Sequence, residues 1–402
     1  LGQHLSGAEM AAPKLTVSLV SGEELGSFCC TTGHELKRKI FALPRRNSVL
    51  RQADPRTSQL VGQDGLIGDE YSFCEDQDLQ LLLGPRTCAV SALRCRPQTR
   101  NPPVQMDTAQ GLVSTAEKIF ELDYAFDETA SGSLIFEEVW QDAVQKSLSG
   151  RSAVVLTYGP AGSGKNHSLF GEDGLVVKTS EFLEASLGAN IADVVRVEFF
   201  DLERDRTSDL LQEDTTETRL RVRFGKEMSS VEGVEPYALN ICGALEQGMT
   251  RIQERRRLSA EKGRGLHSMK TCQLFQIHIC LEHFESPALL QFIRLPASNP
   301  LQLLRSQLVE GSTEDYNFST GLTAVSQVLQ SLIPKDHRGF VPWRESATTM
   351  LMANVLRREF SQLIVLGHCC GEEPEMLSTL RFLRRARQAM VQVAKKKPKE
   401  AE

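Results

Sequence analysis

The chain has 402 residues, 41% of them hydrophobic and 24% charged. At roughly 100–200 residues per domain that predicts two or three domains, and the composition excludes a single small module or a chain that is mostly disordered or fibrous. A formal net charge of −6 argues against a whole-molecule nucleic-acid binder, which needs a basic face, and leaves only local basic patches open.

No window approaches the roughly 18 consecutive apolar residues of a membrane helix, and the opening Leu1-Gly2-Gln3-His4 has no charged-then-apolar leader pattern. The expectation is a soluble, cytoplasmic protein with no membrane and no nucleic-acid partner, with Met10 as a candidate start and residues 1–12 as a disordered N-terminus. Ten cysteines, Cys29, Cys30, Cys74, Cys88, Cys95, Cys242, Cys272, Cys280, Cys369 and Cys370, form no CxxC pair and no zinc spacing. They read as reduced, mostly buried thiols.

Along residues 13–86, Leu15, Val17 and Leu19 alternate with polar positions before a Ser-Gly turn, which predicts a strand and hairpin. Leu36, Ile40 and Leu43 are spaced for one apolar helix face, and Pro44 ends the helix. Gln59–Val61 and the apolar run Leu79–Leu83 predict further short strands. The pattern resembles a ubiquitin-like β-grasp domain; another small α+β module is the alternative. Gly84-Pro85-Arg86 replaces the terminal Gly-Gly used in conjugation, so the resemblance implies a fused docking domain with a ubiquitin-pathway partner, not a tag.

The strongest signal is the aliphatic run Ala153–Leu156 entering Gly159-Pro160-Ala161-Gly162-Ser163-Gly164-Lys165-Asn166-His167. This is GxxxxGK spacing: the glycines let backbone N–H groups turn toward phosphate oxygens and the lysine adds a charge. It favours nucleoside triphosphate binding over a chance glycine-rich loop.

The string Tyr158–Gly171 resembles the phosphate loop of kinesin motors. Four further segments resemble kinesin motifs in the same order: Arg94-Cys95-Arg96-Pro97, which in the family ends the first motor strand beside the nucleotide base; Phe120–Phe126, a strand; Val341-Pro342-Trp343-Arg344-Glu345-Ser346, facing the microtubule; and Glu375–Phe382, on the last motor helix. The resemblance implies a kinesin-type P-loop NTPase α/β fold over residues 87–393, a mixed eight-stranded sheet between helices. It implies ATP and Mg²⁺ as cofactors, microtubules as partner and the cytoskeleton as location, with Gly159 to His167, Arg94 and Pro97 around the nucleotide. His167 and Tyr158 read equally as nucleotide neighbours or as packing. The basic tail at residues 394–402 is neck-linker-like, or a solvated charged end.

The same comparison marks departures. Asn166 stands where the family's loop has a Mg²⁺-holding Ser or Thr, and its amide oxygen makes it only a doubtful metal neighbour. The first switch aligns with Ala260–His267, where Arg264 and His267 remain and the serines are gone. The second aligns with Arg294–Asn299: Arg294 replaces an Asp and Ala297 a Gly, while the bridging Arg and Glu of the two switches become Gly265 and Asn299. After Ser346 the expected basic residues are replaced by Ala347-Thr348-Thr349-Met350; Arg344, Arg357 and Arg358 remain, each as a microtubule contact or as ordinary surface. Three functions stand open: a working microtubule motor, a pseudo-motor that binds nucleotide without turnover, and an adaptor acting through the N-terminal domain.

Overall fold

The computed structural model describes residues 14–19, 24–29, 36, 40, 59–62, 65–67, 77–82, 89–96, 105–115, 118–203, 206–212, 220–261, 271–298, 320–333, 340–358, 360–369 and 373–389. The chain divides into two units, Leu1–Thr87 and Cys88–Glu402. The segments read as a disordered N-terminus and a basic tail lie outside the described residues, as do Pro97, Arg264 and His267.

In the first unit the alternating segment at Leu15 forms β1 (Lys14–Leu19), antiparallel to β2 (Glu24–Cys29) with a register shift between Val17 and Ser18. With β3 (Gln59–Gly62), β4 (Gly65–Ile67) and β5 (Gln77–Leu82) they make a five-stranded sheet of order β2-β1-β5-β3-β4. β1 and β5 run parallel in the middle. Of the helix expected after the hairpin, Leu36 and Ile40 are described; both are helical, and with Val17 they are fully buried.

The second unit is built on an eight-stranded sheet. Its strands are β6 (Val90–Cys95), β10 (Tyr124–Phe126), β11 (Ala153–Tyr158), β12 (Val195–Glu203), β13 (Arg206–Asp209), β16 (Cys272–Ile279), β17 (Ala288–Arg294) and β18 (Gln362–Cys369), in the order β10-β6-β18-β11-β17-β16-β12-β13. The pairs from β10 to β17 are parallel and the rest antiparallel. A meander of β7 (Gln105–Asp107), β8 (Leu112–Ser114) and β9 (Ile119–Glu121), and a hairpin of β14 (Val222–Arg223) and β15 (Ser230–Val231), stand apart from it. The stretch Phe120–Phe126, expected as one strand, is split between β9 and β10. Asp123 interrupts it, its carboxylate accepting from the Ser91 N–H at 2.8 Å and the Ser91 hydroxyl at 3.0 Å.

The central strands are buried on both faces, so their side chains alternate between two hydrophobic layers. Val154, Leu156, Leu363 and Val365 face one layer with α5 (Thr320–Ser331), α6 (Ala347–Leu356) and α7 (Glu373–Ala386). Ala153, Val155, Ile364 and Leu366 face the other, with α1 (Gln141–Ser147), α2 (Lys165–Phe170), α3 (Leu175–Leu187) and α4 (Ile241–Glu261). Apart from the hydrogen-bonded cluster of Glu198, Gln276, His278 and Gln291, the strands carry mostly apolar side chains into these layers, and the loops at the strand ends carry the polar groups. The phosphate loop leaves the C-terminal end of β11, between β17 and β18.

Candidate nucleotide site

β11 is entirely buried, and after Tyr158 the chain turns through three glycines with positive φ: Gly159 at 145°, Gly162 at 71° and Gly164 at 100°. A Cβ on Gly159 would lie 2.3 Å from the His368 carbonyl oxygen, so both its φ and the close approach of β18 demand glycine. α2 begins directly at Lys165 behind the left-handed Gly164. Lys165 is only 4% exposed and donates to the carbonyls of Gly159 at 2.7 Å and Pro160 at 2.5 Å. The Ser163 hydroxyl closes the turn on Pro160 O at 2.8 Å. A backbone arch with a cation inside it is the chemistry that polyphosphate oxygens need.

Beneath the arch lies a polar relay that spans three elements. Arg94, from β6, donates to the Ser168 hydroxyl at 2.8 Å and to the Ala130 carbonyl at 3.1 Å, and its guanidinium lies 3.5 Å from His167 Nδ1. His368 Nδ1 faces the Leu366 carbonyl at 3.2 Å, so that nitrogen carries the proton and Nε2 accepts from Ser168 at 2.8 Å. His368 is fully buried; desolvation, reinforced by Lys165 and Arg94, pushes its pKa down to about 3. Desolvation also lowers Arg94, with Asp173 opposing it. Arg96 reaches the Gly162 carbonyl with a 2.5 Å hydrogen bond. Tyr158 is packing: its ring stacks on Phe382 of α7 at 3.8 Å and 5°.

The second strand end flanking the loop is β17. Thr157 stands opposite Arg294, and the chain continues along the loop through Leu295 N to Thr157 O at 3.2 Å and Ser298 N to Gly159 O at 3.1 Å. Ala297 in this stretch is 2% exposed. Arg294 is 7% exposed, donates to the Thr271 carbonyl at 3.1 Å, and has its pKa pushed down to about 10 by desolvation and the nearby Arg256, against Cys272 and Asp201. Asp201 also sits 3.8 Å from Arg255.

The kinesin motor domain family matches residues 89–389. The chain belongs to that family. Similar relatives include kinesin-like protein KIN-12C of Arabidopsis thaliana, 25% identical over 80% of this chain and 17% of the relative. Others are kinesin-like protein KIF13A of Homo sapiens, 25% identical over 72% and 18%, and kinesin heavy chain of Drosophila melanogaster, 24% identical over 69% and 30%. The chain thus spans less than a third of the length of these relatives.

Kinesin membership implies ATP and Mg²⁺, and the two can be judged separately. Triphosphate oxygens fit the loop, which offers the glycine arch and Lys165. Mg²⁺ does not fit: it takes oxygen donors, usually carboxylate, whereas the expected ligand position, Asn166, offers one neutral amide oxygen, and the strand end beside the loop carries the buried cation Arg294. Among the described residues no group of three or more His, Cys, Asp or Glu could hold a metal ion.

The structure brings Gly159 to His167 and Arg94 together around one loop, with Arg294 and Ala297 on the neighbouring strand end. It also adds residues that the sequence reading did not select: Arg96, passed over in its own motif for Arg94 and Pro97, and Ser168 and His368. The signal for His368 was a lone histidine closing the aliphatic run Leu363–Gly367.

On the opposite sheet end Arg344 and Arg357 are exposed but lie flat against the surface, and Arg358 is partly buried. Arg344 and Arg357 both lie over the Phe224 ring, at 4.9 and 5.2 Å, and Arg357 also donates to the Gly225 and Lys226 carbonyls. Arg358 is held by Ser152 Oγ at 3.1 Å and Pro287 O at 2.5 Å, and burial lowers its pKa. Ser346 and Thr349 form a reciprocal cap at the start of α6.

Proposed function

We propose that this kinesin-family chain binds ATP through residues 159–167 and docks on microtubules, with hydrolysis weakened or lost. The observation that carries the reading is Arg294, a buried cation at the strand end beside the phosphate loop where the family's second switch supplies a carboxylate. Phosphoryl transfer depends on positioning and on neutralising charge near the γ-phosphate, and in this family that work is shared between metal and switches. In the same place Asn166 exchanges the loop hydroxyl for an amide, and Ala297 adds a methyl where the family has glycine. Lys165 and the glycine arch keep the binding half of the machinery.

The test is microtubule-stimulated phosphate release by the full chain with Mg·ATP, using Lys165→Ala as the blank. The expected rate equals the blank. Release well above it would mean a working motor with an unorthodox site.

A second reading concerns the first unit. Its order β2-β1-β5-β3-β4, with β1 and β5 parallel at the centre, supports a ubiquitin-like β-grasp used for docking on ubiquitin-pathway proteins. The full chain should bind isolated ubiquitin-receptor domains and a chain of residues 88–402 should not. Equal binding by both would remove the adaptor role.

A further inference from the structure

Cys95 is the last residue of β6 and Cys369 the last of β18, and they stand directly opposite one another in the parallel ladder. Strands pair at about 4.7–4.9 Å, within the Cα range that a disulfide accepts. The two sulfurs are 3.1 Å apart, so the pair is about 1 Å from bonding distance without any strand having to slide. Among the described residues the ladder has no further pair beyond them in register; a single Arg96 N–H to Cys369 O bond of 3.1 Å follows. The two thiols differ in access. Cys95 is partly exposed, with the Met106 sulfur 3.7 Å away, whereas Cys369 is 2% exposed.

We propose that Cys95 and Cys369 form a peroxide-reactive dithiol at the base of the phosphate loop, Cys95 attacking the oxidant and Cys369 resolving it. In the first step the Cys95 thiolate attacks hydrogen peroxide; an S–O bond forms, the O–O bond breaks, and the departing hydroxide takes a proton and leaves as water. The sulfenic acid is then attacked by the Cys369 sulfur: the S–S bond forms, the S–O bond breaks and a second water leaves. Two thiols lose two electrons in total and one peroxide gains them. Its access makes Cys95 the attacking group, and the Cys369 sulfur hydrogen-bonded to it holds that thiol below its ordinary pKa, against burial and the charges of Asp127 and Glu128. Burial instead pushes Cys272 up to about 11 and also raises Cys280, which makes them poorer nucleophiles. The site adjoins the loop on both strands, since His368 packs under Gly159 and Arg96 holds Gly162.

The test treats the reduced full chain with one equivalent of hydrogen peroxide and maps its peptides without reduction. The expected product is a Cys95–Cys369 cross-link that dithiothreitol reverses. Because the bond closes a long loop, it should also raise the melting temperature by several degrees. In Cys369→Ser, Cys95 should accumulate as a sulfenic acid captured by a cyclic diketone; in Cys95→Ser, Cys369 should stay a thiol. Cys95 remaining reduced while the exposed Cys242 is oxidised would overturn the proposal, as would Cys95 paired with Cys88 or Cys370.

Discussion

His368 shows how much a single buried residue constrains the site. With Lys165 and Arg94 as cationic neighbours, a charged imidazole there would be both desolvated and repelled. The fold therefore requires the neutral ring, which can accept from Ser168. The sign of the pH effect follows. The unfolded chain takes up the proton near the ordinary histidine value of 6.5, while the folded chain refuses it down to about 3. Between those values the unfolded state binds more protons, so stability present above pH 6.5 is lost as pH falls, by at most about 1.4 kcal/mol per unit from this residue. Other groups add their own acid dependence, so the quantity to measure is the difference from His368→Gln. The variant should melt with a shallower loss between pH 6.5 and 4, and parallel curves would mean that His368 is not the group responsible.

At the scale of elements, α4 crosses the sheet where Phe199 of β12 leaves no room for a side chain. A Cβ on Gly248 would lie 2.2 Å from that ring. Replacing a mid-helix glycine by alanine normally gains about 1 kcal/mol of helix propensity. Overpacking costs typically about 1–3 kcal/mol, and Phe199 is itself locked at 5.1 Å against Phe275 and 5.4 Å against Phe170. Gly248→Ala should therefore destabilise the protein by about 1 kcal/mol net, measured by denaturant unfolding; a stabilised variant would mean that the helix shifts freely. This glycine also marks the limit of what was legible in the sequence. β11 and its loop could be read because an aliphatic run and glycine spacing are local signals, and β1 because its alternation is local too. Gly248 carries no local signal, as its reason lies on another strand. The relay from His368 to Ser168 joins residues 200 positions apart, and Arg96 differs from Arg94 only in where β6 ends. The surface contact of Arg357 with the Phe224 ring was equally out of reach, because sequence alone does not show whether a charge has a ring beside it.

For the molecule as a whole, binding and stability are linked: a ligand that binds only the folded state at 100 times its Kd stabilises by about 2.7 kcal/mol. In a unit of this size that is a rise in melting temperature of roughly 4 °C. A conventional site of this fold takes the nucleotide together with Mg²⁺, so chelation should remove most of such a rise. Here the expected ligand position carries Asn166, and Arg294 already brings positive charge to the strand end beside the loop. A metal-free triphosphate, with its full negative charge, should then be held by Lys165 and the glycine arch about as well as the metal complex. The expected outcome is an ATP-induced rise in melting temperature that is the same with Mg²⁺ and with EDTA, and absent in Lys165→Ala. If EDTA abolishes the rise while Mg²⁺ supports it, the chain holds the metal after all, and Arg294 must be displaced from the loop when nucleotide arrives. A rise that survives in Lys165→Ala would place the nucleotide elsewhere on the protein.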